Sequence, residues 1–269
     1  MPTQSRLRRA TKHGARHINL GLNNQDAAEA QTFAIAAFGK TYHVGLVSDG
    51  CTGNPRWSRN EVGANLLTLY AYRRIQELVC SGIALSDIPK ALYPSCTEFL
   101  LDLLGKIMPS HIVWKYDVPP KDREAWRSQT RFKNDYLSAT LLGFITDGET
   151  LVIFSAGDGV ILINDEIIAI DQNDQPDYLS VSINDPGQGF VVTVRSFAEV
   201  RRFAIMTDGL KQLVTDPAFV ARLFGAEHKN PLALQFLFNR TFNDSPERMK
   251  DDCTAVTLEM EETDVPSGT

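Results

Sequence analysis

The sequence predicts an α+β fold in which two packed antiparallel sheets carry helices on their outer faces. Short apolar runs joined by turn residues dominate the chain and are typical of antiparallel strands. The helical patterns are grouped, two early and several late, instead of alternating with single strands as in a parallel sheet. No linker divides the 269 residues. We therefore expect a disordered basic N-terminus at residues 1–13, one domain at residues 14–260, and a polar tail at residues 261–269.

The first part of the chain is predicted to contain a hairpin followed by two long helices. Residues 32–38 and 42–48 are apolar runs separated by a short stretch that contains Gly39, which is typical of a β-hairpin. Ser58 and Glu61 have the spacing of a capping box and predict that a long helix begins there. A second helical pattern follows it.

Residues 105–134 have the composition of an insertion and are predicted to contain a short helix at residues 122–131. Arg123, Arg127 and Arg131 recur at intervals of four, so they would lie on one face of that helix. Such a face is most often simply solvated, and a basic stripe that faces a substrate is the alternative.

The second half of the chain is predicted to be mainly β structure. Four apolar runs joined by turns rich in Asp and Gly have the spacing of an antiparallel meander. They occupy residues 136–146, 150–156, 160–164 and 166–170. A polar loop at residues 171–189 is long enough to indicate a functional role. Further strands and helices are predicted at residues 190–195, 202–207, 210–214, 217–224, 232–242 and 253–259.

Composition and charge narrow the functional class. The net charge of −6 provides no overall basic surface of the kind that nucleic-acid-binding proteins have. The four cysteines are scattered without a Cys-x-x-Cys pair, so neither a zinc site nor a disulfide framework is indicated. The basic N-terminus lacks the apolar core of a signal peptide, and no apolar run is long enough to span a membrane. We therefore expect a cytoplasmic monomer that binds neither nucleic acid nor a membrane.

Two apolar runs end in the same way, with a hydroxyl residue, an aspartate and a glycine. Ser48-Asp49-Gly50 ends the first, and Thr207-Asp208-Gly209 ends the second. A single Asp-Gly pair is usually only a hairpin turn. A carboxylate at the end of a buried strand, however, also stands on a rigid support beside solvent, and the repetition indicates a shared site.

Five aspartates lie at predicted strand ends, and together they indicate a site for hard cations. Mg²⁺ and Mn²⁺ prefer oxygen ligands. Clustered carboxylates repel one another, so such a cluster is stable mainly when cations neutralise it. Two ions that share one carboxylate can bind a phosphoryl oxygen and lower the pKa of a bridging water. The five are Asp26, Asp49, Asp158, Asp208 and Asp251.

Other catalytic chemistries lack their sequence motifs. The chain has no Gly-x-Ser-x-Gly elbow, no Walker A loop, no His-Glu-x-x-His motif and no dinucleotide fingerprint. Its five histidines are dispersed. The carboxylate set is therefore the main candidate for chemistry.

Six short motifs occur in a fixed order along the chain. They are Asn24-Gln25-Asp26, Ser48-Asp49-Gly50, Ser138-Ala139-Thr140, Ala156-Gly157-Asp158-Gly159, Met206-Thr207-Asp208-Gly209 and Asp251-Asp252-Cys253-Thr254. Together they resemble the motif series of the protein phosphatase 2C family, the metal-dependent serine/threonine phosphatases, over residues 14–259. The opening Gly14-Ala15-Arg16-His17 is similar to a bacterial sub-branch of that family.

The resemblance implies a four-layer αββα sandwich with two Mn²⁺ or Mg²⁺ ions at one end. Asp49 would bridge the two ions, with the Gly50 carbonyl on one of them. Asp208 and Asp251 would complete the shell of the other ion, and Asp26 would lie in or just behind the first shell.

The resemblance also implies the reaction. A metal-activated water would hydrolyse the phosphoserine or phosphothreonine of a signalling phosphoprotein without a phosphoenzyme, and Asp49 and Asp208 would be essential for catalysis. Asp158 would help to hold a third, weaker ion. The loop at residues 171–189 would be a variable flap that influences the choice of substrate.

The chain departs from the family pattern at the phosphate-binding position. The family usually has an arginine five residues before the first motif aspartate, and Gly21 stands there in this chain. The residues that could replace it are Arg16, His17, Arg56 and Arg59, and the sequence does not choose among them. Asp252 occupies a position where asparagine is common in the family.

Three functions follow from these observations. An active phosphatase is the leading expectation, because every core metal position is filled. A catalytically weak or inactive phosphatase-like domain that binds a phosphoprotein partner is the alternative, because the arginine is missing. A structural domain whose Asp-Gly pairs are only turns is the third.

Overall fold

The structure, a computed structural model, describes residues 5–51, 58–106, 129–172, 178–181, 188–225 and 230–260. Ten strands and six α-helices occur in these residues. The strands are β1 Ser5–Lys12, β2 Ala27–Ile35, β3 Lys40–Ser48, β4 Leu141–Thr146, β5 Thr150–Ala156, β6 Gly159–Ile163, β7 Glu166–Ile170, β8 Val191–Ser196, β9 Arg202–Met206 and β10 Cys253–Met260. The helices are α1 Ala15–Leu20, α2 Glu61–Cys80, α3 Ile88–Lys106, α4 Gln129–Tyr136, α5 Pro217–Leu223 and α6 Ala233–Asp244.

The strands form two five-stranded sheets. One sheet has the order β1-β10-β9-β6-β7 and the other the order β2-β3-β4-β5-β8, and neighbouring strands are antiparallel throughout. Helices α5 and α6 pack on the first sheet, and α2 and α3 pack on the second. The layers therefore follow the order α, β, β, α, which confirms the predicted α+β class and the four-layer sandwich.

Three apolar cores fill the spaces between the layers. Between the sheets, the rings of Phe144 and Phe203 pack edge-to-face with centroids 4.8 Å apart. Ile75 and Leu92 are fully buried between the helices and the second sheet, and Phe238 is fully buried under the first. Burial of large apolar side chains is the dominant stabilising contribution, so it sets the positions of both sheets and of the strand ends that bear the aspartates.

The chain crosses from one sheet to the other between β5 and β6, and the meander predicted over β4 to β7 is wrong at this point. β4 pairs with β5 and β6 pairs with β7, but β5 and β6 belong to different sheets. Gly157 and Gly159 have φ values of +97° and +152°, which only glycine adopts readily. Turn spacing alone does not distinguish such a crossing from a hairpin, and the crossing is what places Asp158 at the end of both sheets.

The N-terminus forms a strand where disorder is predicted. All eight residues of β1 pair with β10, from Ser5 opposite Met260 to Lys12 opposite Cys253. The basic side chains that made this segment look disordered have acidic neighbours from distant parts of the chain. Arg9 lies 3.0 Å from Glu29, and Arg8 is buried beside Glu259.

The predicted hairpin and both long helices are confirmed, with differences at their ends. β2 and β3 pair along their whole length. Helix α2 begins at Glu61, two residues later than a cap at Ser58 predicts, and the capping box does not form, because the Ser58 hydroxyl donates to the Cys51 carbonyl at 3.3 Å. Helix α3 continues through Pro94 without a break.

Other predicted elements are only partly comparable with the structure. Residues 122–128 of the predicted short helix lie outside the described residues, as does most of the loop at residues 171–189. The helix predicted at residues 210–214 is replaced by two short 3-10 turns, and α1 is not predicted. In the part of the chain that the structure describes, no helix is both long enough and apolar enough to cross a membrane.

Candidate metal centre

All five predicted aspartates lie at one end of the sandwich, because each flanks a strand end at that edge. In the second sheet, Asp26 precedes β2 and Asp49 follows β3, and the register places Ala27 opposite Ser48. In the first sheet, Asp208 follows β9 and Asp251 precedes β10. Asp158 lies in the crossing between the sheets. Antiparallel pairing therefore brings together carboxylates that are up to 225 residues apart in the sequence.

The carboxylate of Asp49 is at the centre of this cluster. Burial raises the pKa of Asp49 well above its usual value, and the charges of the other four aspartates raise it further. The Asp49 N–H donates to the Thr140 hydroxyl at 2.9 Å, and the Thr140 N–H donates to the Asp49 carbonyl at 2.9 Å. The backbone of the Ser138-Ala139-Thr140 motif thus holds Asp49 from the neighbouring strand.

Asp208 meets Asp49 from the other sheet. Burial raises the pKa of Asp208 to about 6, with contributions from Asp158 and Asp251, while hydrogen bonds with the Asp49 carboxyl and the Gly209 backbone oppose the shift. Two carboxyl groups that hydrogen-bond to one another share a proton unless a cation replaces it. Asp49 and Asp208 are therefore placed so that a cation between the two sheets could replace the proton that they share.

Asp26 is buried and retains one unused oxygen. Its Oδ2 accepts a hydrogen bond from the Thr207 hydroxyl at 2.8 Å, whereas its buried Oδ1 has no hydrogen-bond partner. Burial, and then the charge of Asp252, raise the pKa of Asp26 to about 8. A buried carboxylate oxygen without a partner is costly, which indicates that a cation or a water belongs beside it.

Gly50 occupies a position that has no room for a side chain. A Cβ atom there would lie 2.7 Å from the Gln25 carbonyl oxygen and 2.8 Å from the Asn60 carbonyl oxygen. The Gly50 N–H donates to the Gln25 carbonyl at 3.2 Å, and Gly50 forms an isolated bridge with Ala139. Three chain segments therefore meet at the residue that follows Asp49.

Asp252 and His17 brace the site from behind. Asp252 Oδ1 accepts the Gly14 N–H at 2.7 Å, and Oδ2 lies 2.6 Å from the Gln25 nitrogen and 2.8 Å from His17 Nδ1. His17 Nε2 lies 3.3 Å from Asp251 Oδ1. Burial alone would lower the pKa of His17, but its hydrogen bond with Asp252 and the nearby carboxylates raise it overall. Sequence reasoning did not assign this bracing role to Asp252.

Comparison with known proteins decides the family. Residues 13–234 match the family model described as "Protein phosphatase 2C". The chain belongs to the protein phosphatase 2C family. Sequence comparison with curated proteins finds no match.

Solved structures show the same phosphatase 2C fold at low identity. A bacterial serine phosphatase matches with a TM-score of 0.63 and 13% identity, covering 98% of this chain and 100% of that one. The catalytic domain of the serine/threonine protein phosphatase PstP, in complex with two manganese ions, matches with a TM-score of 0.54 and 15% identity over 96% of this chain and 100% of that one. The Mycobacterium tuberculosis phosphatase PstP/Ppp matches with a TM-score of 0.54, 13% identity and coverages of 96% and 99%.

The residues predicted to replace the phosphatase 2C arginine are spread over different parts of the structure. His17 is buried between Asp251 and Asp252, so neither ring nitrogen is directed to an open surface. Arg59 Nη1 donates to the Ser58 carbonyl at 2.5 Å. Arg16 is exposed on α1, and Arg56 lies outside the described residues.

The backbone explains why a glycine stands at the family's arginine position. Gly21 ends α1 with a φ of +67°, and its N–H caps the helix by bonding to backbone carbonyls. A residue with a side chain is strained in this left-handed conformation. Gly21 therefore ends α1 at the position where the resemblance implies an arginine.

Two further residues near the site carry no sequence signal. The side chain of Asn60 is buried, donates to the Ser58 hydroxyl at 3.1 Å and the Asn134 carbonyl at 2.9 Å, and accepts the Ser138 N–H at 3.0 Å. Tyr178 hydrogen-bonds to the Cys51 thiol, and burial together with that bond and the nearby carboxylates raises its pKa. Neither residue belongs to a motif, so only the contacts reveal them.

The donor set fits hard divalent cations, although the described carboxylates are spaced more widely than the ligands of a bound ion. Within the described residues, no group of three or more His, Cys, Asp or Glu side chains has the close spacing that holds a metal ion. The fit is supported by the all-oxygen chemistry of the donors and by the unpartnered Oδ1 of Asp26.

Proposed function

We propose that this phosphatase 2C family chain is a Mn²⁺- or Mg²⁺-dependent phosphatase that hydrolyses phosphoserine and phosphothreonine in proteins. The main support is the meeting of five carboxylates from two sheets, with raised pKa values at Asp26, Asp49 and Asp208. Such an arrangement is unfavourable unless cations neutralise it. The manganese ions in PstP support the same choice of metal.

The proposed ligands are those that the motifs indicate. Asp49 is the proposed bridge between two ions, with the Gly50 carbonyl, Asp208 and Asp251 completing their shells. Asp26 is proposed to lie at the edge of the first shell. Asp158 is proposed to help to hold a third, weaker ion.

The ions would supply Lewis-acid charge and lower the pKa of a water at the phosphorus. The chain itself positions the groups around that water. Thr140 holds the Asp49 backbone, and Asp252 holds the segments that lead to Asp26 and Asp251. Asp26 Oδ1, which has no protein donor, is the acceptor available for a proton of the attacking water.

Hydrolysis of p-nitrophenyl phosphate and of a phosphothreonine peptide tests the proposal. We expect turnover that requires Mn²⁺ and stops with EDTA. Asp49→Asn and Asp208→Asn should each abolish it, because each removes a proposed ligand. Asp165→Asn, in the exposed turn after β6, is the matched control and should retain full activity. Turnover that survives chelation or both substitutions overturns the proposal.

A phosphoprotein-binding domain without turnover is the second candidate. The observations that favour it are Gly21 at the arginine position and the enclosure of His17 by carboxylates. Calorimetry distinguishes the two functions. Mn²⁺ binding that is lost in Asp49→Asn, together with no turnover over a broad set of phosphopeptides, would favour the binding domain.

A further inference from the structure

Lys211 lies one short turn beyond the proposed ligand Asp208. Its N–H donates to the Asp208 carbonyl at 2.8 Å, within the 3-10 turn that follows β9. This bond fixes the Lys211 backbone at the same end of the sandwich as the carboxylate cluster. The proximity follows from this local turn, and Lys211 itself lies outside the motifs.

The ammonium group of Lys211 is accessible from solvent and is paired with Asp171. Its Nζ lies 2.5 Å from Asp171 Oδ2, and 49% and 55% of the two side chains are exposed. The hydrogen bond with Asp171, followed by the charges of Asp171, Asp208 and Asp158, raises the pKa of Lys211. The charges of two proposed metal ligands, Asp208 and Asp158, thus act on this ammonium.

A phosphate ester needs positive charge in addition to the ions when it approaches five carboxylates. Among the residues expected to provide it, His17 is enclosed by Asp251 and Asp252, and Arg59 bonds to the Ser58 carbonyl. Lys211 has a flexible stem with three donors at its end. Its exposed ion pair with Asp171 is weak, so a phosphoryl group can take the place of Asp171.

We propose that the ammonium of Lys211 binds the phosphoryl group of the substrate, in the role left open by Gly21. This assignment rests on the proposed phosphatase function and deepens it by naming the phosphate-holding cation. In the absence of substrate, Asp171 pairs with the Lys211 ammonium, and it therefore competes with phosphate for that group.

Substitution of Lys211 by methionine keeps the apolar stem and removes the charge. We expect KM for p-nitrophenyl phosphate and the inhibition constant of inorganic phosphate to rise about 10-fold or more, as for loss of a hydrogen bond to a charged group. The Mn²⁺ dissociation constant, measured by calorimetry without substrate, should stay the same or fall, because a cation near Asp208 and Asp158 is removed. Lys40→Met is the matched control, since Lys40 pairs with Asp147 at 2.6 Å at the opposite end of β3, and it should leave all three constants unchanged.

Asp171→Asn separates phosphate binding from a merely structural ion pair. If Lys211 binds phosphate, this variant should keep or lower KM, because it frees the ammonium from its competitor. An unchanged KM in Lys211→Met, or an equal rise of KM in both variants, overturns the assignment. Binding of inorganic phosphate to the Mn²⁺-loaded protein tests Lys211 without turnover, whereas absence of Mn²⁺-dependent turnover in the unmodified protein counts against the proposed function alone.

Discussion

His17 Nδ1 lies 2.8 Å from Asp252 Oδ2, and the Gln25 N–H donates to the same oxygen at 2.6 Å. One buried carboxylate therefore joins α1, the segment before β2 and the start of β10. Two proposed metal ligands adjoin these contacts in the chain, because Asp26 follows Gln25 and Asp251 precedes Asp252. The contact makes Asp252 a positioning residue behind the centre.

Replacing Asp252 with asparagine should destabilise the protein, although asparagine is common there in the family. Asparagine has one acceptor oxygen in place of two, and its NH₂ group would face donors now bound to Asp252. We expect the free energy of unfolding to fall by about 1–3 kcal/mol, measured by urea denaturation. Asp244→Asn, at the exposed end of α6, should change it by less than about 0.5 kcal/mol. Equal effects in the two variants would contradict the bracing role.

The metal-free protein should lose stability as the pH rises from about 4 to 8. Burial and the charge of Asp252 raise the pKa of Asp26 from 3.8 to about 8, and burial with Asp158 and Asp251 raises that of Asp208 to about 6. In this window the folded protein binds protons that the unfolded chain has released, so the free energy of unfolding falls with rising pH.

Melting temperatures in EDTA across this range measure the effect. Asp26→Asn should flatten the curve, because it removes a group whose pKa is raised across most of this window. Asp216→Asn is the control, since its hydrogen bond with Arg248 lowers the pKa of Asp216 and its titration lies below the window. Mn²⁺ should raise the melting temperature most at high pH. A melting temperature that increases from pH 5 to 8 in EDTA would be inconsistent with these raised pKa values.

Gly50→Ala should disturb the centre by steric overlap. The added methyl group would meet the Gln25 and Asn60 carbonyl oxygens at 2.7 and 2.8 Å. We expect a loss of about 1–3 kcal/mol in the free energy of unfolding and weaker Mn²⁺ binding by calorimetry. Gly105→Ala, in α3 with no neighbouring atom within 4 Å of its Cβ position, should be neutral or stabilising by up to about 1 kcal/mol.

Asn60→Ala should lower both stability and Mn²⁺ affinity. The buried amide bonds to Ser58, Asn134 and Ser138, and its removal leaves buried groups unpaired. The expected loss is at least about 2 kcal/mol in urea denaturation. Asn65→Ala tests the same change at an exposed position of α2 and should be close to neutral. A neutral Asn60→Ala would show that the amide does not hold these segments together.

Local patterns predicted the elements whose side chains alternate or recur regularly. Apolar periodicity, and the Gly and Asp residues that end the apolar runs, predict three features. They are the hairpin of β2 and β3, the long helix α2, and the aspartates at strand ends. β1 escaped prediction because its basic side chains are neutralised by Glu29 and Glu259, which are distant in sequence. The crossing at Asp158 also escaped prediction, because a turn does not specify which sheet the next strand joins.

The roles of single residues depended on contacts that no pattern encodes. His17 is one of four candidates that the sequence offers for binding phosphate, but its neighbours are Asp251 and Asp252. Asn60 and Lys211 have ordinary sequence surroundings, and only their partners distinguish them. Hydrogen bonds and charge pairs between segments far apart in sequence form only after the sheets have packed.

By itself, the sequence determined the antiparallel α+β class and the aspartates that end or precede strands, because strand periodicity and turn chemistry act over a few residues. The tertiary structure decided that these aspartates meet. Antiparallel pairing places Asp26 beside Asp49 and brings Asp208 and Asp251 to the same edge of the other sheet, and packing of Phe144 on Phe203 brings the two sheets together. The burial and the neighbouring carboxylate charges that raise the pKa of Asp49 arise only from that packing, which is why the candidate centre is a property of the fold.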